Sequence, residues 1–130
     1  AYFDGRIAEP LPITMALENG CDRLVVVLNK RVSEPMKRHL LSPSQALFFK
    51  DMPKLRNVYW LSHLHYNDEM ALLHELQRQG RAVIVAPELD SAHRSRYGVS
   101  MSACSEYYQE GLRLGENALS RVQSFLEGGY

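Results

Sequence analysis

Residues 22–29 read Asp-Arg-Leu-Val-Val-Val-Leu-Asn, and this stretch decides the fold class. Five consecutive aliphatic side chains between polar neighbours are typical of a strand that is buried on both faces, as in parallel sheets. A second run, Ala-Val-Ile-Val-Ala at positions 82–86, stops at Pro87 and predicts another strand of the same kind. The two runs therefore predict a parallel sheet.

The chain between the two strands predicts a helix over residues 67–79. Asn67 is a suitable N-cap, and Gly80 is placed to end the helix. The apolar stripe of this helix consists of Met70, Leu73 and Leu76, together with Leu72. A strand, a helix and a strand in this order form a βαβ unit, in which the strands are parallel. The fold class is therefore α/β.

Two further helices are predicted outside this unit, at residues 12–19 and at about 102–126. Prolines at positions 35, 43 and 53 divide residues 30–60 into short pieces, in which Ser33 and Ser44 are possible helix caps. Because a parallel sheet of two strands is not stable by itself, we expect more sheet to pair with it. The unpaired edge predicts self-association of the chain.

The composition restricts the classes of function. The chain of 130 residues contains 15 Lys or Arg and 15 Asp or Glu, and this balance argues against a nucleic-acid partner, which would favour a basic excess. No run approaches the roughly 18 apolar residues that cross a bilayer. The two cysteines, Cys21 and Cys104, form no Cys-x-x-Cys pair, which excludes a cysteine-rich zinc site.

Residues 4–13, Asp-Gly-Arg-Ile-Ala-Glu-Pro-Leu-Pro-Ile, carry the strongest chemical argument. Asp4-Gly5 alone is a common turn signal, and a turn is the simpler interpretation. A strand that ends in an aspartate before a proline-initiated helix also exposes a carboxylate at the edge of a sheet. In that second interpretation, residues 1–3 are the end of such a strand.

This segment, continued by residues 16–28, resembles the C-terminal part of bacterial patatin-like phospholipases. In that family an Asp-Gly-Gly or Asp-Gly-Ala motif precedes a proline-rich turn, a short helix and an aliphatic strand. The resemblance covers nearly the whole chain and is most specific over residues 3–29. It implies a three-layer α/β/α fold with a parallel βαβ core. Residues 1–130 would be the C-terminal portion of that fold, and residues 30–60 would be a segment of variable length within it.

The resemblance also implies hydrolysis of lipid acyl esters by a Ser–Asp dyad, without a cofactor. Asp4 would be the general base that accepts the proton of the serine, from a partly desolvated position, and Gly5 would shape the turn that presents it. Arg6 stands where the family has a small residue, and it could weaken the base, crowd the site or meet an anionic head group. Because the chain contains no Gly-x-Ser-x-Gly and no glycine-rich oxyanion loop, we expect it to be inactive alone.

Two other functions remain open. The first is a non-catalytic lipid- or protein-binding module that has kept the fold without the chemistry, with Arg6 as its sign. The second is a metal-dependent hydrolase around His63 and His65, whose imidazoles would lie on one side of an extended segment close to Asp68 and Glu69. For these histidines, the entrance to a capped helix is the simpler interpretation.

Residues 30–60 are locally basic, with seven Lys or Arg against two acidic residues. Large apolar side chains alternate with these cations, which suits a contact with a membrane surface. The simpler interpretation is a solvated excursion whose apolar side chains cover the core. A lipid substrate would place the bacterial protein in the cytoplasm or on the inner membrane surface.

Overall fold

The computed structural model describes residues 4–29, 31–33, 35–38, 40–87 and 101–128. The predicted strand end at residues 1–3 lies outside these residues. A short 3-10 turn at Gly5–Ile7 is followed by α1 (Ile13–Glu18), β1 (Leu24–Val27), α2 (Pro43–Phe48), α3 (Pro53–Arg78), β2 (Ala82–Val85) and α4 (Met101–Leu126). This mixture of helices and a small parallel sheet agrees with the α/β class.

The chain divides into two compact units. The first unit consists of Ala1–Asp22 and Pro35–Glu75, and the second consists of Arg23–Glu34 and Leu76–Tyr130. The buried apolar residues of the first unit are Leu11, Ile13, Met36, Phe49, Tyr66, Met70 and Leu73. Those of the second unit are Leu24, Leu76, Ala82, Val83, Ile84, Ala118 and Phe125.

The sheet of the second unit confirms the predicted parallel pairing. β1 and β2 are hydrogen-bonded in a register that runs from Leu24 opposite Ala82 to Val27 opposite Val85. At the two ends, the N–H of Leu24 donates to the Arg81 carbonyl over 2.9 Å, and that of Leu28 donates to the Val85 carbonyl over 2.8 Å. Within the described residues the sheet has these two strands, so the other edge of β1 has no strand beside it.

The expectation that β1 is buried on both faces is wrong. Val25 is exposed, and Val27 keeps 75 % of its surface accessible. A parallel strand is buried only where helices cover both faces, and α4 packs against β2. An open apolar groove of about 330 Å³ separates Val25 and Val27 from Gly115, Leu119 and Val122 of α4.

The helix between the strands begins at Pro53, which is 14 residues earlier than predicted. Proline in the first turn has no intrahelical N–H bond to lose, so Pro53 starts a helix rather than breaking one. Neither proline nor glycine follows until Gly80, whose φ of 70° ends the helix as predicted. Of the predicted stripe, Met70, Leu73 and Leu76 are buried, and Leu72 is half-buried.

Asn67 lies inside α3 and is not its N-cap. Its carboxamide makes two hydrogen bonds to the backbone of Met36. The Met36 N–H donates to Oδ1 over 2.9 Å, and Nδ2 donates to the Met36 carbonyl over 3.2 Å. These bonds tie a segment without regular secondary structure to α3, and Met36 is buried.

The shorter helices follow local rules. α1 lies within one residue of its predicted ends, and Gly20, with a φ of 85°, follows it. The cap of α2 is Ser42, not Ser33 or Ser44. Its Oγ accepts from the Gln45 N–H, and the Gln45 side chain accepts from the Ser42 N–H, which forms a capping box before Pro43.

The long C-terminal helix is confirmed and begins one residue before its predicted start. Its far end is tied to the start of β1, because the Arg23 guanidinium lies 4.1 Å from the centre of the buried Phe125 ring. Among the helices of the described residues, none has the length and apolarity needed to cross a membrane.

Self-association of the chain remains a prediction, because one edge of β1 has no strand beside it among the described residues. We expect the mass of the chain to rise with concentration, because Val25 and Val27 offer exposed apolar surface beside backbone groups that can pair with another strand. Val27→Lys should lower this tendency, since a lysine on an edge strand opposes strand pairing. Light scattering over a concentration series measures the mass, with Leu61→Lys, at an exposed leucine of α3, as the control. A monomer at every concentration contradicts the prediction.

Candidate functional site

Asp4 stands at the start of the 3-10 turn and is exposed, which differs from the partly desolvated position expected for the base. Its carbonyl accepts the Ile7 N–H over 3.0 Å, and the Gly5 carbonyl accepts the Glu9 N–H over 2.8 Å. The backbone therefore confirms a turn at Asp4-Gly5, with Arg6 as its middle residue. A Cβ built on Gly5 would meet no atom within 4 Å, so space does not require glycine there.

A hydrogen bond between side chains connects the residues after this turn to α3. The Nε2 atom of His65 lies 2.9 Å from Oε2 of Glu9. Both side chains are more than a third exposed, so the pair contributes about 0–1 kcal/mol to stability. Its role is to hold the segment between the turn and α1 at one point of α3.

A buried carboxylate connects α1 to the same face of α3. Glu69 is 4 % exposed, and its two oxygens accept the Thr14 backbone N–H over 2.8 Å and the Thr14 hydroxyl over 2.5 Å. Thr14 is the second residue of α1, whose N-cap Pro12 offers no side-chain oxygen. Because the first N–H groups of a helix lack intrahelical partners, Glu69 supplies the missing cap from α3.

The expectation that His63 and His65 lie on one side of an extended segment is wrong. His63 and His65 lie on a helix, where residues two apart point to different sides. Nδ1 of His63 is hydrogen-bonded to the Trp60 carbonyl over 2.8 Å, whereas His65 faces Glu9. Among the described residues, no three or more His, Cys, Asp or Glu side chains are grouped so that they could hold a metal.

The basic and apolar segment, residues 30–60, has both buried and exposed apolar side chains. Met36 and Phe49 are buried, and Phe49 packs on the Tyr59 ring with 5.3 Å between ring centres. Three other large apolar side chains face solvent, with exposed fractions of 85 %, 73 % and 57 % for Leu40, Leu47 and Phe48. Among the described residues of the segment, the exposed lysines are Lys37, Lys50 and Lys54. Part of this segment therefore covers the core, and part of it offers apolar and cationic surface.

The links from Glu9 to His65 and from Thr14 to Glu69 were not predicted from the sequence. Each link joins residues 55 or 56 positions apart, so local patterns do not indicate it. One signal was present. His65 and Glu69 are four residues apart, and in a helix that includes both, this spacing places them on one face.

The described residues place the chain in the α/β class, with one parallel strand pair in the second unit and a helical first unit in which Glu69 caps α1. Residues 52–127 match the model of a family described as a domain of unknown function (DUF6363), and the chain belongs to this family. The match includes α3, β2 and α4, whereas the Asp4 turn and β1 precede it. No curated protein and no solved structure matches the chain.

The Glu69 cap predicts a loss of stability on substitution. Glu69→Ala should lower the free energy of unfolding by about 2 kcal/mol, because two donors of Thr14 lose a charged acceptor. Thr14→Val should cost about half as much, since the backbone N–H keeps its bond. Urea unfolding measures both losses.

The control is Glu18→Ala, at an exposed glutamate of α1, which should change the free energy of unfolding by less than about 0.5 kcal/mol. If Glu69→Ala is no more destabilising than this control, the cap does not hold the unit together.

Proposed function

We propose that this chain is the C-terminal part of a patatin-like lipid acyl hydrolase in which Asp4 is the general base. The proposal rests on the resemblance of residues 3–29 to that family. The observation that supports it is the position of Asp4, which is exposed at the start of a hydrogen-bonded turn. An accessible carboxylate on an ordered backbone is what a base needs to meet a nucleophile.

In this proposal the serine nucleophile comes from a segment outside this sequence. The Asp4 carboxylate takes the proton from the serine hydroxyl while the serine oxygen bonds to the carbonyl carbon of the ester. The same proton then passes to the departing alkoxide. Water hydrolyses the acyl-serine in a second step and regenerates both residues. Gly5 and Arg6 follow Asp4 in the turn, and Arg6 adds a positive charge for an anionic head group.

The exposed apolar side chains of residues 30–60 support a lipid as the substrate. Leu40, Leu47 and Phe48 would enter the interfacial region of a membrane, and the lysines of the same segment would meet lipid phosphates. The proposed location is therefore peripheral, at the inner membrane surface or in the adjacent cytoplasm.

The second candidate is a non-catalytic lipid- or protein-binding module. The feature that favours this module is Arg6, a large cation at the motif position where patatin-like phospholipases have a small residue. This module would use the same lipid surface without any role for the Asp4 carboxylate.

The base is tested by Asp4→Asn in the full-length protein that contains this chain. We expect hydrolysis of a p-nitrophenyl ester and of phospholipid vesicles to fall by roughly a hundredfold or more, because an amide does not accept the serine proton. Asp68→Asn, at an exposed aspartate of α3 outside residues 30–60, is the matched control and should leave the rate unchanged. Activity that survives Asp4→Asn, or no activity in either protein, favours the binding module.

The lipid surface is tested separately by vesicle sedimentation of the chain itself. Vesicles that contain phosphatidylglycerol should bind it better than phosphatidylcholine alone, and salt should weaken this binding. Leu47→Gln should weaken binding about tenfold, because one inserted leucine side chain is lost. Leu126→Gln is the control, since Leu126 is an exposed leucine at the end of α4. Equal losses in the two variants would contradict a surface in residues 30–60.

A further inference from the structure

The second unit contains an open cleft of about 400 Å³ that the proposed function does not use. Its walls come from the residues after β1, the last turn of α3, the end of β2 and one face of α4. The polar side chains of the wall are Gln77, Asn117 and Arg121, and its apolar part includes Val32, Ile84 and Leu114. The cleft is therefore polar on one part of its surface and apolar on another.

The cleft lies where parallel sheets commonly bind small molecules. It meets β2 at its last residues and at Ala86, which follows the strand, and Val32 follows β1. In open α/β sheets, ligands bind outside the carboxyl ends of the strands. The α4 side chains in the wall recur at helical spacing, at positions 114, 117, 118 and 121, so one helix face forms the opposite side.

Among the described residues that line the cleft, one side chain is charged, that of Arg121. Its Nη2 donates to the Ile84 carbonyl over 2.8 Å, which fixes the guanidinium against the end of β2. A guanidinium carries five N–H donors in a planar fork, and this fork matches the two oxygens of a carboxylate. The carboxamides of Gln77 and Asn117 add further donors to the polar part of the wall.

We propose that this cleft binds a small organic monocarboxylate with an apolar body. One fixed cation favours a single negative charge on the ligand. The carboxylate meets Arg121, and the apolar body lies along Ile84 and Leu114. A volume of about 400 Å³ is near the lower end of the range for small-molecule sites, so the body is short. The site is independent of the Asp4 dyad, because it needs neither Asp4 nor a serine nucleophile.

The proposal is tested by isothermal titration of the unmodified chain with octanoate, octanol and acetate. Octanoate carries both features of the proposed ligand, whereas octanol lacks the charge and acetate lacks the apolar body. We expect octanoate to bind at least about tenfold more tightly than either of the other two, since each lacks one set of contacts. Octanol that binds as tightly as octanoate, or no octanoate binding at millimolar concentration, overturns the proposal.

Variants of α4 place the binding in the cleft. Arg121→Gln should weaken octanoate binding about tenfold or more. Arg121→Lys keeps the charge without the planar fork, so its affinity for octanoate should lie between those of Arg121→Gln and the unmodified chain. Arg113→Gln, at an exposed arginine of the same helix, is the matched control and should bind normally. The thermal unfolding midpoint of each variant shows whether the fold is retained.

Two results with these variants and with the Leu47→Gln variant of α2 would overturn the assignment of octanoate binding to the cleft. One is unchanged octanoate binding in Arg121→Gln. The other is loss of octanoate binding in Leu47→Gln, which would place the ligand on the surface of residues 30–60. If Arg121→Gln fails to fold, Asn117→Ala replaces it and should weaken binding severalfold, since it removes one donor from the wall.

Discussion

The buried carboxylate of Glu69 is the constraint on which the first unit depends. α1 is six residues long, begins after a proline and has neither a side-chain cap nor an acidic residue in its first turn. So short a helix is not stable alone, and its first N–H groups need acceptors. Glu69 provides the acceptor at the second residue of α1, and His65, one helical turn earlier on α3, meets Glu9 just before α1. The position of the Asp4 turn follows from these two links, since only four residues separate Asp4 from Glu9.

The sequence predicted the elements whose signals are local. The parallel strand pair, α1 and α4 follow from an aliphatic run, a glycine stop and helical spacing, and the structure confirms all of them. The start of α3 was missed because Pro53 signals a helix start as well as a break. This one ambiguity changed three interpretations at once. Asn67 ceased to be a cap, His63 and His65 separated onto different sides, and Glu69 moved from a first turn to a buried middle position.

The burial of β1 could not be predicted from its own residues. An aliphatic run indicates that a strand can be buried on both faces, but the covering helices are set by the packing of other elements. Here α4 packs against β2, and Val27 stays largely exposed. The cleft at Arg121 has the same origin, because its wall joins residues that range from Val32 to Arg121 along the sequence. Local patterns therefore predict elements of secondary structure well, whereas a cleft built from separate segments follows only from their packing.

The pair of hydrogen bonds between Asn67 and Met36 has a consequence for how a chain this small is built. A carboxamide presents one acceptor and one donor side by side, which is the same pattern that a residue of a neighbouring strand presents. A backbone segment that enters a protein interior must satisfy its N–H and C=O groups, usually by joining a sheet. Asn67 takes the place of that missing strand for one residue. The chain can therefore bury Met36 against a helix without adding a strand, and a single side chain replaces what would otherwise require a further element of secondary structure.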